Sequence, residues 1–284
     1  MRLLILFTLC VTLGGCVPSV MRVASPIDAD TVWQGRVEIA GDVEISPEAK
    51  HTILRGTEVI FLPPKDGEDR YIDHPHFPGS ELIVHGRLTA EGILEAPIHF
   101  RAADPKASAG SWGGINLVKS PEASFRFCRF TQADSAIHSQ ESQVSIEESI
   151  FERNKVGVRF HSSAILVEHN LFRDNGAAIR FHFGAPVICK NVLINNGKGI
   201  FITAHPREYH IEANNFVNNR DWTVVLGEEV PEDVSLRRNF WGTTEIAKII
   251  DHFFDGRREK HLGIIDIEPI NDSPSPMAGP AWNP

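Results

Sequence analysis

Two columns of asparagine recur through the middle of the chain at one nearly constant spacing. The first is Asn170, Asn191, Asn214 and Asn239; the second is Asn154, Asn175, Asn196 and Asn219. Between them runs an apolar column, Phe130, Phe151, Phe172, Leu193, Phe216 and Trp241, with steps of 21, 21, 21, 23 and 25 residues. A period in the twenties marks a solenoid, in which each repeat buries its apolar face only against its neighbours.

The repeat divides further. Five residues before the apolar column stand Phe125, Ile146, Val167, Ile188, Ile211 and Leu236, and after it come Ile137, Val158, Ile179, Ile200 and Val224. Each repeat therefore holds three short alternating runs, such as Val158-Arg159-Phe160-His161 over Ile179-Arg180-Phe181-His182. Alternation at period two is the strand signal. Three strands per turn, each stacked on its counterpart one turn later, predict an all-β fold, a single-stranded parallel β-helix. A leucine-rich solenoid would need a helical stretch and its own consensus in every repeat. The asparagines are expected at the corners, where asparagine tolerates the turn dihedrals and its amide bonds to the equivalent amides above and below, because buried polar groups are paired. Cys128 and Ser149 hold the first ladder position in the two earlier turns. Cys128 and Cys189 lie three turns apart, roughly 14 Å at ~4.8 Å per strand, so both thiols are expected free.

Earlier segments alternate less regularly: Gly35–Ile39, Gly41–Ile45, His51–Leu54 and Val59–Leu62. Pro63–Gly79, rich in Pro, Asp, His and Gly, reads as a loop projecting from one turn. Then follow Leu82-Ile83-Val84, Gly86, Leu88, Ala90, Gly92, Pro97-Ile98-His99-Phe100 and Ser111-Trp112-Gly113-Gly114-Ile115. Together with Asn239-Phe240-Trp241-Gly242, these resemble bacterial right-handed parallel β-helix repeat proteins over residues 32–270. The resemblance implies a pectate-lyase-like right-handed solenoid, in a superfamily with carbohydrate-binding and carbohydrate-active members.

The two ends carry other signals. Met1-Arg2, the apolar run Leu3–Leu13 and Leu13-Gly14-Gly15-Cys16 resemble a bacterial lipoprotein leader ending at a lipobox. That implies a signal peptide over 1–15, lipidation of Cys16, a tether over 16–31, and attachment to the cell envelope membrane through acyl chains. Val17 after the cysteine, rather than Asp, points to the outer membrane. The β-helix itself is placed at 32–242 and its C-terminal cap at 243–270. Thr243 or Thr244 is expected to start a capping helix through Asp255, with Ile246, Ile249, Ile250, Phe253 and Phe254 as its apolar stripe and Asp251 and Asp255 on the opposite, solvent face. Residues 271–284, with four prolines from Ser273 onward, read as a disordered tail.

Net charge excludes one class of partner and leaves others. At −9, the chain lacks the basic footprint of a nucleic-acid binder. The paired aspartates and Gly-His-Gly of polygalacturonase-like hydrolases are absent, and the outward acids Glu147 and Glu168 are followed by Cys189 rather than a third acid. No catalytic residue, cofactor or metal is assigned. The most suggestive outward feature is Arg159 and His161 stacked under Arg180 and His182, with His138 and Gln140 below and Thr203 and His205 above. This is a candidate site for a carboxylate or phosphate on a polysaccharide or an envelope protein. Metal binding by His138, His161 and His182 is opposed by the neighbouring arginines, and His74 and His76 have chelating spacing but equally suit a polar loop. The reading is a lipid-anchored, non-catalytic β-helix acting as a binding or assembly scaffold. The alternative is a lyase or hydrolase acting on acidic polysaccharide.

Overall fold

The computed structural model describes residues 20–282. The leader and Cys16 lie outside the described residues. Three parallel sheets wrap one core, of nine, nine and eight strands. The first sheet runs from Met21–Val23 to Asn215–Val217, the second from Val43–Ile45 to Phe253–Phe254, and the third from Thr31–Trp33 to His210–Glu212. Successive strands along the chain visit different sheets, and each pairs in parallel with its counterpart one turn on. The sequence column becomes register: Phe130 pairs with Phe151, Phe151 with Phe172, Phe172 with Leu193 and Leu193 with Phe216.

Stacking follows from the spacing of parallel strands, which matches the preferred separation of offset aromatic rings. Phe100, Phe130, Phe151 and Phe172 form a continuous pile with ring centroids 4.7–4.8 Å apart. Phe160 and Phe181 make a second pile at 4.8 Å, and Phe216 stacks on Trp241 at 4.6 Å. All these rings are buried.

Both asparagine ladders form. Asn175 Oδ1 accepts the Asn154 backbone N–H and one Asn154 Nδ2 hydrogen, both at 3.0 Å, and Asn154 Nδ2 also donates to the Phe130 carbonyl. The same pattern repeats at Asn170, Asn191, Asn214 and Asn239. The corner dihedrals belong to a different residue: His169, Lys190, Ala213 and Arg238, one position before each asparagine of that ladder, take the left-handed conformation. The asparagines thus serve through their amides, not through tolerance of strained backbone. Cys128 and Cys189 are both free. The Cys128 backbone N–H donates to Ser149 Oγ, continuing the ladder with smaller groups.

Four expectations about the ends are corrected. The span assigned to a tether already contains strands, for Met21–Val23 pairs with Val37–Ile39 in the first sheet. An edge strand leaves N–H and C=O groups unpaired, and this short alternating segment covers them. The capping helix is short, Ile246–Asp251, with Glu245 at its N-cap and no side-chain cap; Thr243 Oγ1 accepts only the Glu245 N–H. Phe253 and Phe254, expected on the helix, form a strand on the second sheet beside Val224 and Val225. The open sheet edge outcompetes another helical turn for these aromatic residues. Asp255, expected on the solvent face, is buried and accepts the Ile265 N–H at 3.0 Å.

The described part of the tail is ordered. Ser275 exchanges two bonds with the Asn215 side chain, Gly279 N–H donates to the Lys190 carbonyl, and Trp282 Nε1 donates to the Glu148 carbonyl. The Trp282 ring, 7% exposed, covers Ile150 and Leu171, which point outward from the first sheet. A proline-rich composition argues for disorder only where no apolar surface awaits cover.

One core residue breaks the apolar rule. His51 stands inward in the third sheet between Thr31 and Leu88, fully buried, with Trp33 edge-on at 4.1 Å. Neither ring nitrogen has a partner among the described residues. Burial pushes its pKa down to about 4 from the ordinary 6.5. Between those values the unfolded chain binds a proton that the folded chain refuses, so stability is full above 6.5 and falls as pH drops through the window. His51→Leu is expected to raise stability by about 1 kcal/mol at neutral pH, since the unpaired nitrogens disappear. The gain should widen toward about pH 5, as read from urea midpoints at the two pH values. A gain that shrinks in acid would contradict the burial of a neutral ring.

Candidate functional site

Outward residues of the second sheet form columns by the same register that builds the core. One column runs Asn116, His138, Arg159, Arg180 and Phe201; the next runs Gln140, His161 and His182. The sheet therefore brings Arg159, His161, Arg180 and His182 together, as expected from the repeat. The two imidazoles stack with centroids 5.1 Å apart.

The Pro63–Gly79 loop changes the character of this face. It does not project away but folds onto the lower half of the column. Asp42 accepts the Arg70 and Tyr71 N–H groups at 2.6 and 3.1 Å, and Asp69 accepts Gly79 N–H at 2.9 Å. Glu81 accepts Phe77 N–H at 3.0 Å and meets His76 Nδ1 at 2.9 Å. Burial lifts the Glu81 carboxyl to about 7, while the hydrogen bond to Glu81 raises His76. His138 is consequently not an open surface residue: it is 2% exposed, with Phe77 at 5.2 Å and His74 at 6.0 Å. Burial, reinforced by Arg159, pushes its pKa down to about 3, so it is neutral.

Above the loop lies a cleft of about 250 Å³ lined by His74, His138, Arg159, His161, Arg180, His182 and Thr203, with Phe160 and Phe181 at its floor. The Arg159 guanidinium lies over the Phe77 ring at 4.7 Å and that of Arg180 over Phe201 at 4.9 Å. Burial, then Arg180, pushes Arg159 down to about 10; burial also lowers Arg180. Both stay protonated at neutral pH. The Arg159 Nε is buried without a partner among the described residues. The carboxylate close enough to act on Arg159, that of Asp134, is paired with Lys155. Glu229 faces His182 at 3.8 Å.

A bulge in the strand Lys198–Ala204 inserts Thr203 beside the imidazoles, where its hydroxyl donates to the Phe181 carbonyl and lies 3.3 Å from His182 Nδ1. His205, expected in the same patch, instead approaches the Asp233 carbonyl and Tyr209. Gln140 is turned down to Asn116. Phe77 and Phe201 are the functional neighbours that sequence reasoning missed. Phe201 could have been found, because it continues the Arg159–Arg180 column by one rung; Phe77 carries no such periodic signal.

This arrangement has the chemistry to hold an anion. Two half-buried guanidiniums without a carboxylate partner among the described residues, with imidazoles at their side, form a positive cleft in an acidic chain. Among the described residues, no three His, Cys, Asp or Glu side chains converge to hold a metal.

Residues 105–229 match the family model of the right handed beta helix region. No curated protein and no solved structure matches the chain.

Proposed function

The chain belongs to the right-handed parallel β-helix proteins, and from that premise we propose that it is a non-catalytic binding scaffold of the bacterial cell envelope. It is held at the outer membrane through lipid on Cys16, and its cleft captures an acidic group on a glycan or a partner protein. One observation carries this reading: Arg159 and Arg180 lie over aromatic rings, half-buried and with no salt bridge among the described residues, in a chain of net charge −9. Leaving a guanidinium desolvated and unpaired is costly unless a ligand supplies the missing anion. The leader resembling a lipobox supports the anchor.

Titration of purified protein with acidic oligosaccharides tests the reading. Binding without turnover is expected. Arg159→Ala or Arg180→Ala should weaken it roughly 10- to 100-fold, the loss of one hydrogen bond to a charged group at about 1.5–3 kcal/mol. Recovery in the membrane fraction, lost in Cys16→Ala, checks the anchor. Cleavage of a uronate polymer that disappears in Arg159→Ala would replace the scaffold by the rival, a lyase. The depressed pKa of Arg159 is the feature favouring that rival.

A further inference from the structure

Resting on the anion-binding reading, we propose that the cleft is built for a single terminal phosphate group rather than for an acidic polymer lying along the solenoid.

Charge balance is the first argument. Arg159 and Arg180 are adjacent in register and both unpaired among the described residues, so two positive side chains rise into the site from Cα atoms one strand spacing, about 5 Å, apart. A carboxylate brings one negative charge and two oxygens. A phosphate monoester brings about −1.5 to −2 and three acceptor oxygens. Only the latter neutralises both guanidiniums at once.

Orientation is the second. Phe77 and Phe201 cover one face of each guanidinium. Neither guanidinium donates a hydrogen bond among the described residues, and its N–H groups form a planar fork suited to two oxygens of one tetrahedral group. His161 and His182 stand in the next column and offer further ring N–H groups at the same two levels.

Closure along the axis is the third. A polymer-binding groove on a solenoid would repeat its cationic rung over several turns. Here the arginine column is two residues long. Below it comes His138, neutral and roofed by the loop that carries His74 and Phe77. Above it come Phe201, Val225 and Phe254. The histidine column ends against Glu229, 3.8 Å from His182. An acidic polymer leaving the cleft upward would meet that carboxylate. The space of about 250 Å³ suits one group and its immediate attachment, below the size of sites that enclose larger ligands.

Calorimetric titration of the whole mature protein tests this with inorganic phosphate, glycerol 3-phosphate, galacturonate, galacturonate oligomers of increasing length, and vesicles containing phosphatidate or phosphatidylglycerol. Phosphate and glycerol 3-phosphate are expected to bind at least about tenfold more tightly than galacturonate, a gap of about 1.4 kcal/mol. Affinity for the oligomers should not grow with length. Arg159→Lys and Arg180→Lys keep the charge but lose the fork, and each should weaken phosphate about tenfold with unchanged thermal unfolding. Binding to phosphatidate but not phosphatidylglycerol vesicles would support the proposal with a lipid as the source. Binding to soluble phosphomonoesters alone would support it with a phosphorylated glycan or small molecule as the source. Affinity that rises with galacturonate length and exceeds that for phosphate would overturn the phosphate proposal and leave the anion-binding reading standing. No binding of any of these anions would overturn both.

Discussion

Replacing Phe151 by alanine is expected to lower the stability of the solenoid by about 3–5 kcal/mol, the cost of removing a large aromatic side chain from a packed core. The ring is fully buried and lies between Phe130 at 4.7 Å and Phe172 at 4.8 Å, within 10° of parallel to both. Its loss opens a cavity between two rings that the parallel strands hold apart, so the site cannot collapse. Urea unfolding followed by tryptophan fluorescence should show the lowered midpoint. Phe151→Leu should lose only about a third as much, since it restores most of the volume; leucine already fills the equivalent rung at Leu193. An alanine variant as stable as the parent would mean that the column is not the core.

Asn191→Leu is the second large effect. Asn191 Oδ1 accepts the Asn170 backbone N–H at 2.9 Å and Asn170 Nδ2 at 3.0 Å. Its own Nδ2 donates to the carbonyls of Val167 and Cys189 and to Asn214 Oδ1. Leucine has similar bulk but leaves these buried groups unpaired. At about 1–3 kcal/mol for each unsatisfied buried group, a total loss of at least about 3 kcal/mol is expected. Asn191→Ser should cost less, because a serine already serves one rung of this ladder at Ser149, accepting Cys128 N–H and donating to the Glu147 carbonyl. Hydrogen exchange at the Asn170 amide should quicken in the leucine variant and not in a surface control. Unchanged exchange would show that water or a neighbour replaces the amide at no cost.

These two residues show why the fold was so legible. A parallel β-helix converts one number, the repeat length, into register. Once Phe130, Phe151 and Phe172 are seen to be evenly spaced, their stacking and the placing of Arg159 beneath Arg180 follow together. The asparagines were read correctly as corner amides, although the strained dihedrals fell to the preceding residues, a detail invisible without backbone angles. Departures from periodicity were where reading failed. Thr203 lies in the cleft as expected, but the irregular turn that follows its bulge diverted His205 to Asp233. Phe253 and Phe254 fit a helical stripe as well as they fit a strand, and the choice depended on an open sheet edge that only the assembled turns provide.

The sequence by itself determined the three-stranded turn, the stacked core, both asparagine ladders and the pairing of Arg159/His161 with Arg180/His182. Those are contacts between equivalent positions, and repetition encodes them. Only the tertiary structure decided that His138 is buried and neutral, that Phe77 backs Arg159, and that Trp282 seals the first sheet. Such contacts join a non-repeating loop or tail to a distant rung: the bond from Trp282 to Glu148 spans 134 residues. No period relates the partners, so their meeting depends on shape, burial and the satisfaction of backbone groups in the folded chain. The cleft itself is therefore half repeat and half accident of topology, with two arginine rungs supplied by the solenoid and a roof supplied by the loop.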